Sequence, residues 1–430
     1  MLSVAFQPRI LVPMLLLSLP FYLHPTNIRG SEFSITELAI IGGVSALGLR
    51  AAGERFAGWQ PALALPRPHP TDLLAAAFLV GGLLALAPSE YPKQSLRELR
   101  WLIIEPILVF YMIRITVRGS EQVVGLMWAL VAAGLIATVC SWLTLVQTGT
   151  LLDPAVRAMV PYLSPNHLAL FLERAGAAAL AIALFGRTRW VGWLSFLTVA
   201  LGIIRTLSAG AWLGLGACSL ILLVLRSRRW ALVAAVAIAA VIAGALVILP
   251  AERTIDRLNP ATGTGLFRLE IWSSSLQMLA DHPLLGVGLD NYLYLYRSDY
   301  ILPQAWEEPN ISHPHNWVLQ FWLELGLLGL LVGFASVVFI ARTAHRKFHY
   351  PVSPSDRPLA AMCLGNLVVF LVHGSVDNSY FLVDLAVVWW VVIGLLALPP
   401  LTHGEEGFDR MGDLIEPFRE PVGGGALSEQ

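Results

Sequence analysis

An all-α polytopic membrane protein is the fold class this sequence predicts. Three observations carry it. Hydrophobic residues fill 56% of the 430 positions and charged ones only 13%, against about 25% charged in soluble domains. Mean hydropathy is +0.68. Apolar runs of about 20 residues, long enough to cross a bilayer as a helix, recur along the chain. A net charge of −1 gives no global attraction to nucleic acid, which is not an expected partner.

Taken in order, the runs predict about twelve membrane helices: near residues 8–24, 33–49, 71–88, 99–117, 121–147, 163–186, 190–207, 208–226, 229–250, 316–342, 358–376 and 380–400. The first follows Arg9 with no small-residue cleavage site behind it, so it reads as a membrane helix and not a removed signal peptide. Glu105-Pro106 interrupts the fourth. Only "RTLSAG" separates the seventh from the eighth, which predicts a tight turn. The expected organisation is nine helices over 1–250, a large hydrophilic loop over 251–315, three helices over 316–400 and a disordered, Gly- and Glu-rich cytoplasmic tail over 401–430. Cys140, Cys218 and Cys363 all sit inside apolar runs and read as buried filler.

Lysines and arginines at the helix ends favour a cytoplasmic N-terminus, which puts the large loop outside. Several arginines nevertheless fall on the outer side, at helix ends or in the loop: Arg97, Arg100, Arg205 and Arg268. Outer loops usually shed such charges. Together these four suit a multiply charged anion, and arginine suits phosphate through the planar forked donors of guanidinium; snorkelling to lipid headgroups is the plainer alternative for each one singly.

Within the loop, Phe267 to Ala280 has amphipathic spacing. Leu269, Trp272, Leu276 and Leu279 share a face, which predicts a helix lying on the membrane. "HPLLGVGLDNY" then breaks the helix at Pro283 and supplies Gly286 and Gly288. It lacks the third glycine and the strand-to-helix setting of a dinucleotide fingerprint, so a turn closing the loop over a site is the better reading. The loop ends in "ISHPHNWVLQFW". A lipid-facing helix does not need His313, His315 and Asn316 at its start.

"DHPLLGVGLDNY" and "HPHNWVLQFWLELGLLGLL" resemble the O-antigen ligase and polymerase family of bacterial envelope glycosyltransferases. So do "SPNHLALFLE", "RTLSAGAWLG" and "VHGSVDNSYF", with a weaker match in "SLRELRWLIIEPILVFYMI". The resemblance implies a GT-C-like multi-helix transferase in the bacterial inner membrane, its site facing the periplasm. It implies transfer of a glycan from an undecaprenyl-pyrophosphate donor to an acceptor hydroxyl on lipid A-core or another lipid or glycan, with no cofactor and no metal. It places the catalytic histidine on His315 and a pyrophosphate-binding arginine on Arg268. This chain departs from the pattern at Ser208-Ala209-Gly210, where many relatives read Ser-Arg-Gly. Arg205, four residues earlier, is the expected substitute.

The residues support the same chemistry. A sugar hydroxyl is a weak nucleophile, and a neutral imidazole within hydrogen-bond reach helps remove its proton. His315 precedes the tenth helix, whose macrodipole favours negative charge at that end, and Asn316 is the expected N-cap. His313 is the second candidate base. His313 and His315 with His373 or Asp377 would make a zinc set, but no cysteine lies outside and no H-E-x-x-H occurs, so metal is not expected. His373 and Asp377, four apart, suggest either an Asp-oriented histidine or a structural tie. Asn166 and His167 are expected along the acceptor path. Glu173 and Arg174 should face the bundle interior. A polymerase using the same donor is the rival reading. A lipid-linked sugar transporter is the third, disfavoured because polarity gathers on one face.

Overall fold

The computed structural model describes residues 8–28, 31–58, 66–230, 263–306 and 309–401, with positions 63, 232, 235 and 236. Helices stand at eleven of the twelve expected places. The ninth run, 229–250, and the tail, 402–430, lie outside the described residues apart from a few positions near 230. The helices are α1 (Leu11–Ser18), α2 (Ile35–Phe56), α3 (Pro70–Leu84), α4 (Pro92–Glu98), α5 (Glu105–Thr116), α6 (Ser120–Gln147), α7 (Pro165–Phe185), α8 (Arg189–Thr206), α9 (Ala209–Arg226), α10 (Gly263–Asp281), α11 (Tyr292–Leu295), α12 (Trp317–His349), α13 (Asp356–Gly374) and α14 (Val383–Leu396). Six of them, α2, α6, α7, α9, α12 and α13, are long and apolar enough to cross a membrane. A two-stranded hairpin, β1 (Thr26–Ile28) and β2 (Ser31–Phe33), joins α1 to α2 and was not expected.

The centre of the bundle is α7. Its Ala-rich run is buried on all sides, packed by α6, α8, α9 and α13. Small residues permit this, as in membrane helix pairs generally: a side chain at Gly192 of α8 would run into the α7 backbone at Ala183.

The interruption expected at Glu105-Pro106 is a π-helical stretch, Leu99–Ile104, joining α4 to α5. Pro106 has no N–H to offer the Leu102 carbonyl four residues back. The Tyr380 hydroxyl donates to that carbonyl instead, at 2.7 Å, which ties the π-helical stretch to the segment before α14. The tight turn between α8 and α9 is made by Leu207 in the left-handed region (φ 53°).

The loop folds over the N-terminal half of α12. Ile271, Met278, Leu279, Val287, Tyr292, Leu295, Tyr296 and Leu323 form a second, smaller core there. The helix predicted over 267–280 is present as part of α10, but its buried side differs from the expected stripe. Ile271, Ser274, Ser275, Met278 and Leu279 are buried, whereas Leu269 and Leu276 are about half exposed. The spacing registered apolar residues, and the buried side also takes two serines; Ser275 bonds both the Ile271 carbonyl and the Tyr292 hydroxyl.

Gly286 and Gly326 hold this cap to α12. Both have φ 67°, which glycine adopts without steric cost, and each lies where a Cβ would strike the other segment's carbonyls. The close approach allows two cross-segment hydrogen bonds, Val287 N to Leu323 O at 2.7 Å and Leu327 N to Leu284 O at 2.9 Å. Gly326 also breaks the regular dihedrals of α12.

Candidate active site

His313 and His315 converge on one carboxylate. Asp377, in the loop after α13, lies with its Oδ1 3.0 Å from His315 Nδ1 and 3.3 Å from His313 Nε2, and it also accepts the Asn378 amide at 2.8 Å. The two rings stand edge to face, centroids 4.3 Å apart. Both candidate bases therefore share one acidic partner. The chain bends at both His313 and His315, on either side of Pro314, and both rings reach the same carboxylate.

The backbone delivers them there at a cost. His315 has φ 49°, a strained conformation for a residue with a Cβ. Three contacts fix it: Trp272 Nε1 of α10 donates to the Pro314 carbonyl at 3.0 Å, the Asn316 side chain caps α12 at the amides of Val318 and Leu319, and Asn316 Nδ2 donates to the Ser375 carbonyl.

Geometry separates the two histidines. An ionised carboxylate only accepts, so each donates the nitrogen that faces Asp377. For His313 the remaining Nδ1 is taken by the Ser312 hydroxyl at 3.0 Å. For His315 the remaining Nε2 has no hydrogen-bond partner among the described residues; both histidines line a cavity of about 280 Å³. Burial alone would raise the Asp377 pKa, but the hydrogen bonds from the two histidines outweigh it and hold the carboxyl well below its usual range. Burial, with His315 alongside, pushes the His313 pKa down against the pull of Asp377.

The cavity wall carries Asn166 and His167 from the start of α7, Gln320 and Glu324 from α12, Glu98 from α4 and Asp290 from the cap. His167 is held by Asp384 at 3.2 Å and by the Tyr22 hydroxyl at 3.1 Å, with Tyr162 on the other Asp384 oxygen at 2.8 Å. Arg157 donates to Asn166 at 2.8 Å. The wall is more acidic than the arginine count of the sequence suggested.

The four arginines are dispersed. Arg268 lies nearest the histidines, its Nε donating to the Val376 carbonyl at 3.1 Å, one residue before Asp377. Arg97 pairs with Asp290 at 2.8 Å, at the cavity edge, and lies over Trp101. Arg100 pairs with Glu37 at 2.5 Å, away from the cavity. Arg205 donates to the carbonyls of Thr150, Asp153 and Val156, so its guanidinium is committed to the loop before α7 and does not line the cavity.

His373 lies behind Asp377, its Nε2 3.9 Å from Oδ2, while its Nδ1 bonds Glu173 at 2.5 Å. Asp377 thus orients His315 and His313, and the His373–Asp377 pairing suggested by their spacing is the longer contact. Glu173 and Arg174 are buried in the bundle. Arg174 turns away to the Asn366 and Ser379 carbonyls. Glu98, Asp290, Gln320, Glu324, Tyr162 and Asp384 were missed by sequence reasoning. For Glu324 and Asp384 a signal existed, a carboxylate within an apolar run.

His313, His315 and Asp377 have donor atoms within 4.8 Å of one another, so an open three-ligand set for a divalent ion such as zinc is available to this chain. In the arrangement described, Asp377 Oδ1 is already shared by two imidazoles and an amide. A metal would have to displace those bonds.

Residues 194–334 match the family described as O-antigen ligase. That segment is similar to the O-antigen ligase family. The segment contains Arg205, Arg268, His313, His315 and Asn316; Asp377 and His373 lie beyond it. An O-antigen ligase of Salmonella typhimurium strain LT2 is 28% identical over 217 residues, covering 46% of this chain and 50% of that protein. A Rickettsia conorii protein described as a polysaccharide ligase is 26% identical over 136 residues, 30% of either chain. The alignments therefore span half or less of the length of these relatives.

Proposed function

We propose that the protein is a multi-pass inner-membrane glycosyltransferase that moves a glycan from undecaprenyl pyrophosphate to an acceptor hydroxyl at the periplasmic face, with lipid A-core or another surface glycan as acceptor. The observation that carries the reading is a histidine with one nitrogen held by a buried aspartate and the other open to a cavity. The family match supports the ligase class.

In this reading His315 Nε2 takes the acceptor hydroxyl proton as its oxygen attacks the anomeric carbon. The bond from that carbon to the pyrophosphate oxygen breaks, and the electron pair leaves with the pyrophosphate. Asp377 steadies the imidazolium that forms, as a buried carboxylate does for other catalytic histidines. The proposed role of Arg268 is to offset the charge developing on the leaving group, the step where a preorganised donor contributes most; its support is the Arg268 bond to the Val376 carbonyl, one residue before Asp377. The chemistry runs without metal. Asn316, Asn166 and His373 position the groups around it, while Arg97, Arg100 and Arg205 are engaged by Asp290, by Glu37 and by the carbonyls before α7.

The test is transfer by the purified protein from a defined undecaprenyl-pyrophosphate-linked glycan to two acceptors, a lipid A-core and the non-reducing end of the same glycan. Transfer to the first supports the ligase; transfer only to the second makes it a polymerase. Failure with both, by folded protein, removes the reading.

A further inference from the structure

A larger cavity, about 890 Å³, lies at the end of the bundle opposite the histidines. It is enclosed by the start of α3, the end of α5, the last turns of α12, the start of α13 and the end of α14. Five cations line it: Arg67, Arg114, Arg118, Arg346 and Lys347. Two carboxylates answer them, Asp72 on Arg114 and Asp356 on Lys347 at 3.4 Å. Asp356 is further occupied by the amides of Val352 and Ser353, both at 2.8 Å. Among the described residues, cations outnumber carboxylates around this cavity. The exposed pair, Arg67 and Arg346, comes from different elements and has no acidic partner among the described residues.

This basic cavity runs into a second hollow. Pro70 and Phe339 line both. The second, about 400 Å³, follows the seam between α3 and α12 and is lined by Leu73, Leu74, Ala77, Leu331, Val332 and Ala335. Leu73 is 75% exposed and Leu331 57%, so this seam faces the surroundings of the bundle, where acyl chains lie. A basic chamber at a helix end, opening into an apolar channel along the membrane-facing side, matches a molecule with a phosphate head and a hydrocarbon tail.

We propose that this is a binding site for an anionic phospholipid of the leaflet opposite the histidines, its phosphate among Arg67, Arg346 and Lys347 and one acyl chain in the α3–α12 seam. The site stands apart from the transfer chemistry. A general surplus of cations on one membrane face would attract anionic lipid anywhere on that face. The cavity makes a narrower claim, that these three cations and one particular seam bind it together.

The experiment uses the full-length protein in detergent, titrated with phosphatidylglycerol, with phosphatidylcholine of the same chains and with inorganic phosphate, bound lipid being counted by native mass spectrometry. Phosphatidylglycerol should bind at least about tenfold more tightly than phosphatidylcholine. Removing Arg67 and Arg346 together (Arg67→Gln, Arg346→Gln) should weaken it about 25-fold, about fivefold for each cation lost at a lipid surface. Ala335→Trp, which fills the seam without touching the cations, should also weaken phosphatidylglycerol. Arg226→Gln with Arg229→Gln, exposed at the same end of the bundle but outside the cavity, should change nothing. The proposal is overturned if this control pair loses as much lipid as the cavity pair, if phosphatidylcholine binds equally, or if inorganic phosphate displaces the lipid at equal concentration.

Discussion

Replacing Asp377 by asparagine keeps the shape of the side chain and removes its charge. Asp377 is 5% exposed and receives bonds from two imidazoles, each about a fifth exposed. A hydrogen bond to a charged group is worth about 1.5–3 kcal/mol against about 1 for a neutral one. Neutralising the acceptor of two such bonds should therefore cost about 2 kcal/mol of stability. The effect on rate is larger. The amide can present its NH₂ to His315 Nδ1, which moves the ring proton to Nε2 and leaves no base facing the cavity, and neither amide orientation offsets an imidazolium. Turnover should fall about 10²–10⁴-fold, the full range of one general base, with little change in donor affinity. The acid limb gives a second readout. The carboxyl is held below its ordinary pKa of 3.8, so its contribution is complete above that pH and is lost only as pH falls through the depressed value. The stability gap between wild type and Asp377→Asn should stay level from neutral pH to about 4 and close only below that. The assays are transfer by purified protein and thermal unfolding across pH. Turnover within about threefold of wild type would refute the orienting role.

Arg205→Ala should lower thermal stability by about 1 kcal/mol, through hydrogen bonds lost at the part-buried Thr150 and Val156 carbonyls and the exposed Asp153 carbonyl, while donor affinity changes less than about threefold; a large loss of donor affinity with unchanged stability would return Arg205 to the pyrophosphate. Transfer should survive exhaustive EDTA, whereas loss of activity restored by zinc would make His313, His315 and Asp377 a metal site. His313 is held below its ordinary pKa of 6.5, so the unfolded chain takes up a proton that the folded protein refuses. Wild-type stability should decline as pH drops through about 6.5 and level off below the folded value, and His313→Gln should flatten that decline. An identical slope in both proteins would contradict it.

The sequence made the helices legible because lipid demands long apolar runs, and eleven of them stand where periodicity and length put them. It made the His-Pro-His-Asn start of α12 legible because polar groups there serve no packing need. It also suggested Asp377, though beside His373, four residues away on the same helical path. The partner that matters comes from 62 positions off, a distance no local pattern reports. Arg205 misled for a related reason. Charge at a helix end signals a polar neighbour but does not say whether that neighbour is a ligand or, as here, three backbone carbonyls. The α10 stripe misled because hydrophobic spacing ignores serines, which are buried when their hydroxyls find carbonyls.

The central claim is that His315 is the base and His313 its neighbour on the same carboxylate. The most direct measurement is single-turnover transfer from the undecaprenyl-pyrophosphate donor by His315→Ala and His313→Ala, each shown to be folded and inserted. The account predicts a loss of about 10²–10⁴-fold for His315→Ala with donor binding retained, and a smaller loss for His313→Ala. Wild-type transfer by His315→Ala would contradict it, and a dead His313→Ala beside an active His315→Ala would move the chemistry to the other ring.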